Sequence, residues 1–245
     1  MTAVVVIPVY KDDPSEEELE SVRQTGKVLG RHRIVLAAPQ GLSLAPYRAC
    51  LPSENCSEER FDPVYFRSVS GYNRLLLKPS FYRRFAAYDY LLIVQTDAWV
   101  FRDELEKWCR AGYDYIGAPW FDRFEEADET SPMLPYAGNG GFSLRHVGKT
   151  IKLLKKGFWK LLFYRYIKRK TVNEDNFIAV KLPKIMPDYK VAGPETAMFF
   201  SFENMPHKLY RLTGEKLPFG CHAYRRYNRE FWNRFIGRTD EKNQD

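Results

Sequence analysis

Residues 90–97 read Tyr90-Leu91-Leu92-Ile93-Val94-Gln95-Thr96-Asp97, an unbroken apolar run that stops at a polar, acidic triplet. Such a run fits a strand buried on both faces, the habit of parallel sheets covered by helices. An acid just beyond the carboxyl end of that strand stands where open α/β sheets bind their ligands. The chain opens on a second run of this kind, Ala3 to Tyr10 (A-V-V-V-I-P-V-Y), interrupted by Pro8 and closed by K-D-D-P.

Between these two strands the spacing predicts a crossover. Pro14 to Leu29 reads as a helix with Ser15 as N-cap and three glutamates in its first turn, where acids suit the helix dipole. Arg33 to Ala38 is a further apolar run ended by Pro39 and Gly41, Val64 to Phe66 is a weaker third strand, and Tyr72 to Phe85 is helix-like. The β-α-β order is the signature of a parallel sheet. Beyond Asp97 come a helix over Asp103 to Cys109, a strand at Tyr115 to Pro119, and a loop of about 20 residues rich in acids and prolines, a length usually tied to function or mobility. The expectation is one α/β domain over residues 1–238, a Rossmann-like, mixed but mostly parallel sheet flanked by helices, with residues 239–245 as a disordered tail.

Bulk properties narrow the class. The 245 residues are 44% hydrophobic, enough for a sizeable core, and carry a formal net charge of +7, which favours an anionic partner. Cys50, Cys56, Cys109 and Cys221 show no CxxC pairing, which argues against a zinc site and for reduced thiols. The first apolar run lacks a basic lead, and no run approaches the roughly 20 residues needed to span a bilayer. The expected setting is the cytoplasm.

Five features carry chemistry. Gln95 and Asp97, two apart on extended chain, face one way, although Asp97 also reads as a turn cap. Gly138-Asn139-Gly140-Gly141 frees the backbone to approach a ligand, or else makes an N-G hairpin turn. Glu174 and Asp175 stand at a helix start, where acids serve capping, yet a carboxylate there is also a general base for a hydroxyl. His222, in G-C-H-A-Y, is a structural histidine or, with Asp97 and phosphate oxygens, part of an octahedral set for a divalent ion. Lys152 to Lys170 holds eight Lys or Arg and no acid, interleaved with aromatic residues. On a helix, Ile151, Leu154, Phe158, Leu161 and Leu162 would share one face, leaving a solvated basic face or a contact for anionic membrane or lipid diphosphate.

In order, these motifs resemble the shared core of GT-A glycosyltransferases: a D-x-D-type site after a buried strand, a glycine-rich loop, an x-E-D motif and a C-terminal histidine. More closely, V-V-I-P-V-Y, Q-T-D-A-W-V-F, Y-D-Y-I-G-A-P-W, G-N-G-G-F-S-L-R and F-G-C-H-A-Y are similar to a family of bacterial GT-A-like proteins described as a domain of unknown function and found among surface-polysaccharide genes. The resemblance implies an inverting transferase that moves a sugar from a nucleotide diphosphate sugar, a UDP-sugar foremost, to a glycan or lipid-linked glycan. It implies Mn2+ or Mg2+ held by Asp97 and His222, with Gln95 departing from the first acid of D-x-D. Asp175 would be the catalytic base with Glu174 as its substitute. Pro8, Val9, Tyr10, Gln95 and Thr96 would border the nucleotide, and Asn139, Gly140, Gly141 and Trp120 the donor or acceptor sugar. Two readings compete: a sugar nucleotidyltransferase, which wants a glycine-rich basic loop where Val9-Tyr10-Lys11-Asp12-Asp13 stands, and a non-catalytic nucleotide- or glycan-binding protein, for which Gln95 speaks. Nucleic acid is not an expected partner, since charge alone would support it.

Overall fold

The computed structural model describes residues 1–167 and 172–236. A six-stranded sheet has the order β3-β2-β1-β4-β7-β6, built from β1 (Ala3–Pro8), β2 (Arg33–Pro39), β3 (Cys56–Phe61), β4 (Tyr90–Val94), β6 (Tyr115–Phe121) and β7 (Met133–His146). The first four run parallel, and β7 runs against both β4 and β6. The chain is thus an α/β protein with a mixed sheet flanked by helices.

The unbroken apolar runs become central strands because alternate residues feed two cores. Val5, Ile7, Leu36, Leu92 and Val94 pack on one face with α1 (Glu16–Leu29), while Val4, Val6, Val35, Leu91 and Ile93 pack on the other with the helices Val69–Leu76 and Val147–Lys156. At the start of α1, Ser15 and Glu18 form a complete capping box, so the sequence signal there reports real hydrogen bonds.

Several boundaries differ from expectation for identifiable reasons. The third strand is Cys56–Phe61, not Val64 to Phe66, which lies in a short helical turn. As an edge strand with Glu58, Glu59 and Arg60 at its surface it has no apolar run to announce it. The helix expected over Tyr72 to Phe85 is two helices, Val69–Leu76 and Pro79–Arg83, because Lys78 precedes a proline and takes extended backbone. The long acidic loop is shorter than expected, since β7 already begins at Met133. Helix Val147–Lys156 ends at Gly157, where a Cβ would lie 2.4 Å from Leu182, and Phe158 is 50% exposed instead of sharing a buried face with Leu154. Among the described residues no helix is long and apolar enough to cross a membrane. The four thiols form no disulfide. The tail expected at 239–245 lies outside the described residues.

A second, smaller sheet matters more for chemistry. Strands β5 (Trp99–Val100), β8 (Ser201–Phe202) and β9 (Gly220–Cys221) join in the order β5-β9-β8. Trp99 pairs antiparallel with Cys221, and Phe202 pairs parallel with Cys221. These registers put Asp97, just before β5, and Glu203, just after β8, on either side of His222.

Candidate functional site

The carboxyl ends of β1 and β4 open onto a cleft of about 560 Å³ lined by Pro8, Tyr10, Lys11 and Glu18 on one side, residues 66–69 and Tyr72 on another, and Gln95, Thr96 and Asp97 at the strand end. Such a crevice is the expected ligand position for this sheet type. Tyr10 and Val69 keep apolar surface exposed there, 53% and 78% respectively. Glu18 reaches beyond its cap to tie the rim together: it bonds the Lys11 ammonium at 2.9 Å and accepts from the Thr96 hydroxyl at 3.3 Å. The hydrogen bond to Glu18 raises the Lys11 pKa above its ordinary value, so the amine stays charged.

At the end of the cleft three polar side chains meet His222. Its Nε2 lies 3.0 Å from Gln95 Oε1 and 3.2 Å from Asp97 Oδ1, and its Nδ1 lies 2.9 Å from Glu203 Oε1. Burial on its own would strip the imidazole of its second proton, but Asp97 and Glu203 outweigh it and push the pKa up to about 10. Burial likewise works against the Asp97 carboxylate, yet the His222 charge holds its pKa below the usual value. The imidazole rests on bare backbone, since a Cβ at Gly141 would lie 2.1 Å from Nε2.

The Gly138–Gly141 segment is neither a ligand loop nor a hairpin turn. It lies inside β7, where Gly138 takes φ +145 and Asn139 Oδ1 accepts from the Gly141 amide at 3.1 Å. Asn139 therefore shapes the strand, and the two following glycines clear space: Gly141 for His222, and Gly140 for the acids, since its Cβ would come within 2.6 Å of Glu174 Oε1 and 3.3 Å of Asp175 Cβ.

The two acids differ sharply. Glu174 is buried and bound through both oxygens, each at 2.9 Å, to the fully buried Arg145, which also donates to Tyr82 at 2.8 Å and to Ser143. A carboxylate held in this bidentate ion pair gives up its charge to the guanidinium, which makes Glu174 the poorer proton acceptor of the two acids. Asp175 is half-buried and, among the described residues, accepts only the Asn176 amide, at 2.6 Å. Burial, followed by the nearby Glu174 charge, raises its pKa to about 7. A carboxyl poised near neutrality is the form a general base takes.

Of the expected site residues, Asp97, His222 and Gln95 come together, and Pro8, Tyr10 and Thr96 line the cleft. Val9 and Trp120 do not line this cleft. Val9 is fully buried in the core beneath the sheet, because its neighbours Pro8 and Tyr10 take the outward side. Trp120 sits on β6, 9% exposed and packed edge-on to Tyr136 at 5.9 Å. Sequence reading missed Glu203, Arg145, Lys11 and Glu18. Glu203 lacked any motif, and its meaning comes wholly from the β8–β9 pairing.

A family model described as "Protein of unknown function (DUF5672)" matches residues 55–222. The chain belongs to the DUF5672 family. The matched span runs from the start of β3 to His222, so it contains Asp97, the glycine strand, Arg145, Glu174, Asp175 and Glu203, while β1 and α1 fall before it. No curated protein matches the chain significantly.

Within this DUF5672 chain, Gly141→Ala is expected to evict the imidazole and strand Glu203, whose Oε2 already has no hydrogen-bond partner among the described residues, at a cost of about 2–4 kcal/mol. The sign with pH follows from linkage. A histidine raised from 6.5 to about 10 contributes stability that is full below pH 6.5 and vanishes as pH climbs through 10. Urea titrations of wild type and Gly141→Ala should therefore differ most at pH 6 and converge towards pH 10. A gap independent of pH would mean that the imidazolium is not what the glycine protects.

Proposed function

We propose that the chain is a GT-A-type inverting glycosyltransferase using a nucleotide diphosphate sugar, a UDP-sugar foremost. The observation that carries this reading is the course of the cleft: it starts between exposed Tyr10 and Val69, passes charged Lys11, and ends on Asp97 beside His222. An aromatic face suits a nucleobase, an ammonium suits phosphate, and the acid–imidazole pair suits the ion that a diphosphate brings. The acceptor would be a glycan or lipid-linked glycan hydroxyl.

The donor set fits Mn2+ or Mg2+. Asp97 Oδ1 and His222 Nε2 lie on neighbouring chain segments, and Glu203 on Nδ1 is the outer partner that metal-bound histidines commonly have. Among the described residues no group of three or more His, Cys, Asp or Glu side chains gathers as a closed metal site. Two protein ligands leave positions for phosphate oxygens, as in sites where an ion arrives with its nucleotide. When bound, such an ion would neutralise charge on the diphosphate leaving group. Asp175 takes the proton from the acceptor hydroxyl while that oxygen bonds to the anomeric carbon and the carbon–diphosphate bond breaks. One in-line displacement inverts the centre.

Gln95 and the proton on His222 favour a second reading, in which the imidazolium itself serves as the cation and the chain binds nucleotides without a metal. Melting curves with UDP, GDP and CMP, each with Mn2+ or with a chelator, separate the two. A ligand at 100 times its Kd stabilises by about 2.7 kcal/mol, a shift that is easily read. The transferase reading expects UDP to act only with Mn2+ and Asp97→Ala to abolish the shift. A shift with chelator present supports the imidazolium, and no shift with any nucleotide sinks both.

A further inference from the structure

The basic stretch that begins in helix Val147–Lys156 and continues beyond it plays no part in the site described above. Its described portion exposes large apolar side chains that ordinary solvent contact does not explain: Trp159 is 77% exposed, Ile167 70%, Tyr166 66% and Phe158 50%. The other four tryptophans are all 9% exposed or less, so Trp159 alone faces outward. Several large apolar side chains exposed along one short stretch, two of them (Phe158 and Trp159) in ring contact, mark an interaction site.

Charge identifies the partner. Lys152, Lys155 and Lys156 are exposed, and none of them makes an ion pair among the described residues, although acids elsewhere on the chain are widely paired. No Asp or Glu occurs between Gly148 and Asn173. Clustered cations beside Trp, Tyr, Phe and Ile match the interfacial zone of an anionic bilayer, where aromatic rings sit at headgroup depth and lysines meet lipid phosphates. A nucleic acid would reward the lysines but not Ile167.

We infer that residues 152–167 form a membrane-docking surface that seats the chain on anionic phospholipid, with Trp159, Tyr166 and Ile167 entering the interface and Lys152, Lys155 and Lys156 holding the headgroups. Tyr164 links this surface to the candidate site, its ring packed on Phe177 at 5.8 Å, two residues beyond Asp175. Docking would thus bring Asp175 close to acceptors carried in the bilayer. The docking itself does not depend on the transferase reading, since it involves no sugar.

Sedimentation of the whole chain with phosphatidylcholine vesicles, with or without phosphatidylglycerol, tests it. Binding is expected only with the anionic lipid and to weaken at least tenfold between 0.1 M and 0.5 M salt. Trp159 emission should shift to the blue and be quenched by lipids brominated in their chains. Trp159→Ser with Ile167→Ser, and separately the triple Lys152→Gln, Lys155→Gln, Lys156→Gln, should each lower binding at least tenfold while circular dichroism stays unchanged. Absence of binding to anionic vesicles overturns the inference. So does binding that survives the Trp159→Ser, Ile167→Ser change, or equal affinity for soluble heparin with unshifted Trp159 emission, which would assign the surface to a polyanion instead.

Discussion

Asp175→Asn should lower sugar transfer by about 10²–10⁴-fold and leave nucleotide binding in place, because an amide cannot accept the proton of the attacking hydroxyl. The wild-type rate should rise with pH through about 7, where the Asp175 carboxyl loses its proton, and level off above. The same shift makes a stability prediction of opposite sense. A carboxyl raised from 3.8 to about 7 costs the folded state stability as pH rises across that interval, since the native chain must give up a proton it holds more tightly than the unfolded one. Asp175→Asn removes that cost and should therefore stabilise the chain at pH 8, by about 1–2 kcal/mol after allowance for relaxation around the site. A dead but more heat-stable variant is the signature of a residue kept for chemistry. Full activity in Asp175→Asn, or a rate indifferent to pH between 6 and 8, would exclude it as the base.

The neighbouring acid predicts the reverse. Glu174→Gln leaves the Arg145 guanidinium charged, fully buried and unpaired, and Arg145→Met does the same to the Glu174 carboxylate. Each single change should cost about 3–5 kcal/mol, whereas the double variant should recover much of the loss because both desolvated charges are gone. Urea unfolding of the four proteins gives the coupling directly. Additive costs would mean that Arg145 and Glu174 do not act as a unit and that the fold tolerates either charge alone.

These two adjacent residues show where sequence reading reaches its limit. Glu174 and Asp175 share a motif and a helix start, and nothing local tells them apart. Arg145, 29 positions earlier on β7, decides the matter by claiming both oxygens of Glu174. Likewise G-N-G-G reads locally as a loop or a turn, yet it lies within a 14-residue strand, its glycines set by the imidazole and acids that press on them. Val9 sits between two cleft residues but points into the core, as the alternation of an extended chain requires.

What the amino-acid sequence determined by itself is the frame: runs such as Ala3–Pro8 and Tyr90–Val94 are apolar on both sides and can only be satisfied between two helical layers, and Ser15 with Glu18 starts a helix through purely local hydrogen bonds. Only the tertiary structure decided the chemistry of the site. The strands β5, β8 and β9 are two residues each, too short to show any period, and β5 (Trp99–Val100) finds its partner only in the distant Gly220–Cys221. Through that pairing Glu203 and Asp97 come within hydrogen-bond reach of His222, because the carboxylates that hold the proton on His222 are neighbours only the folded chain supplies.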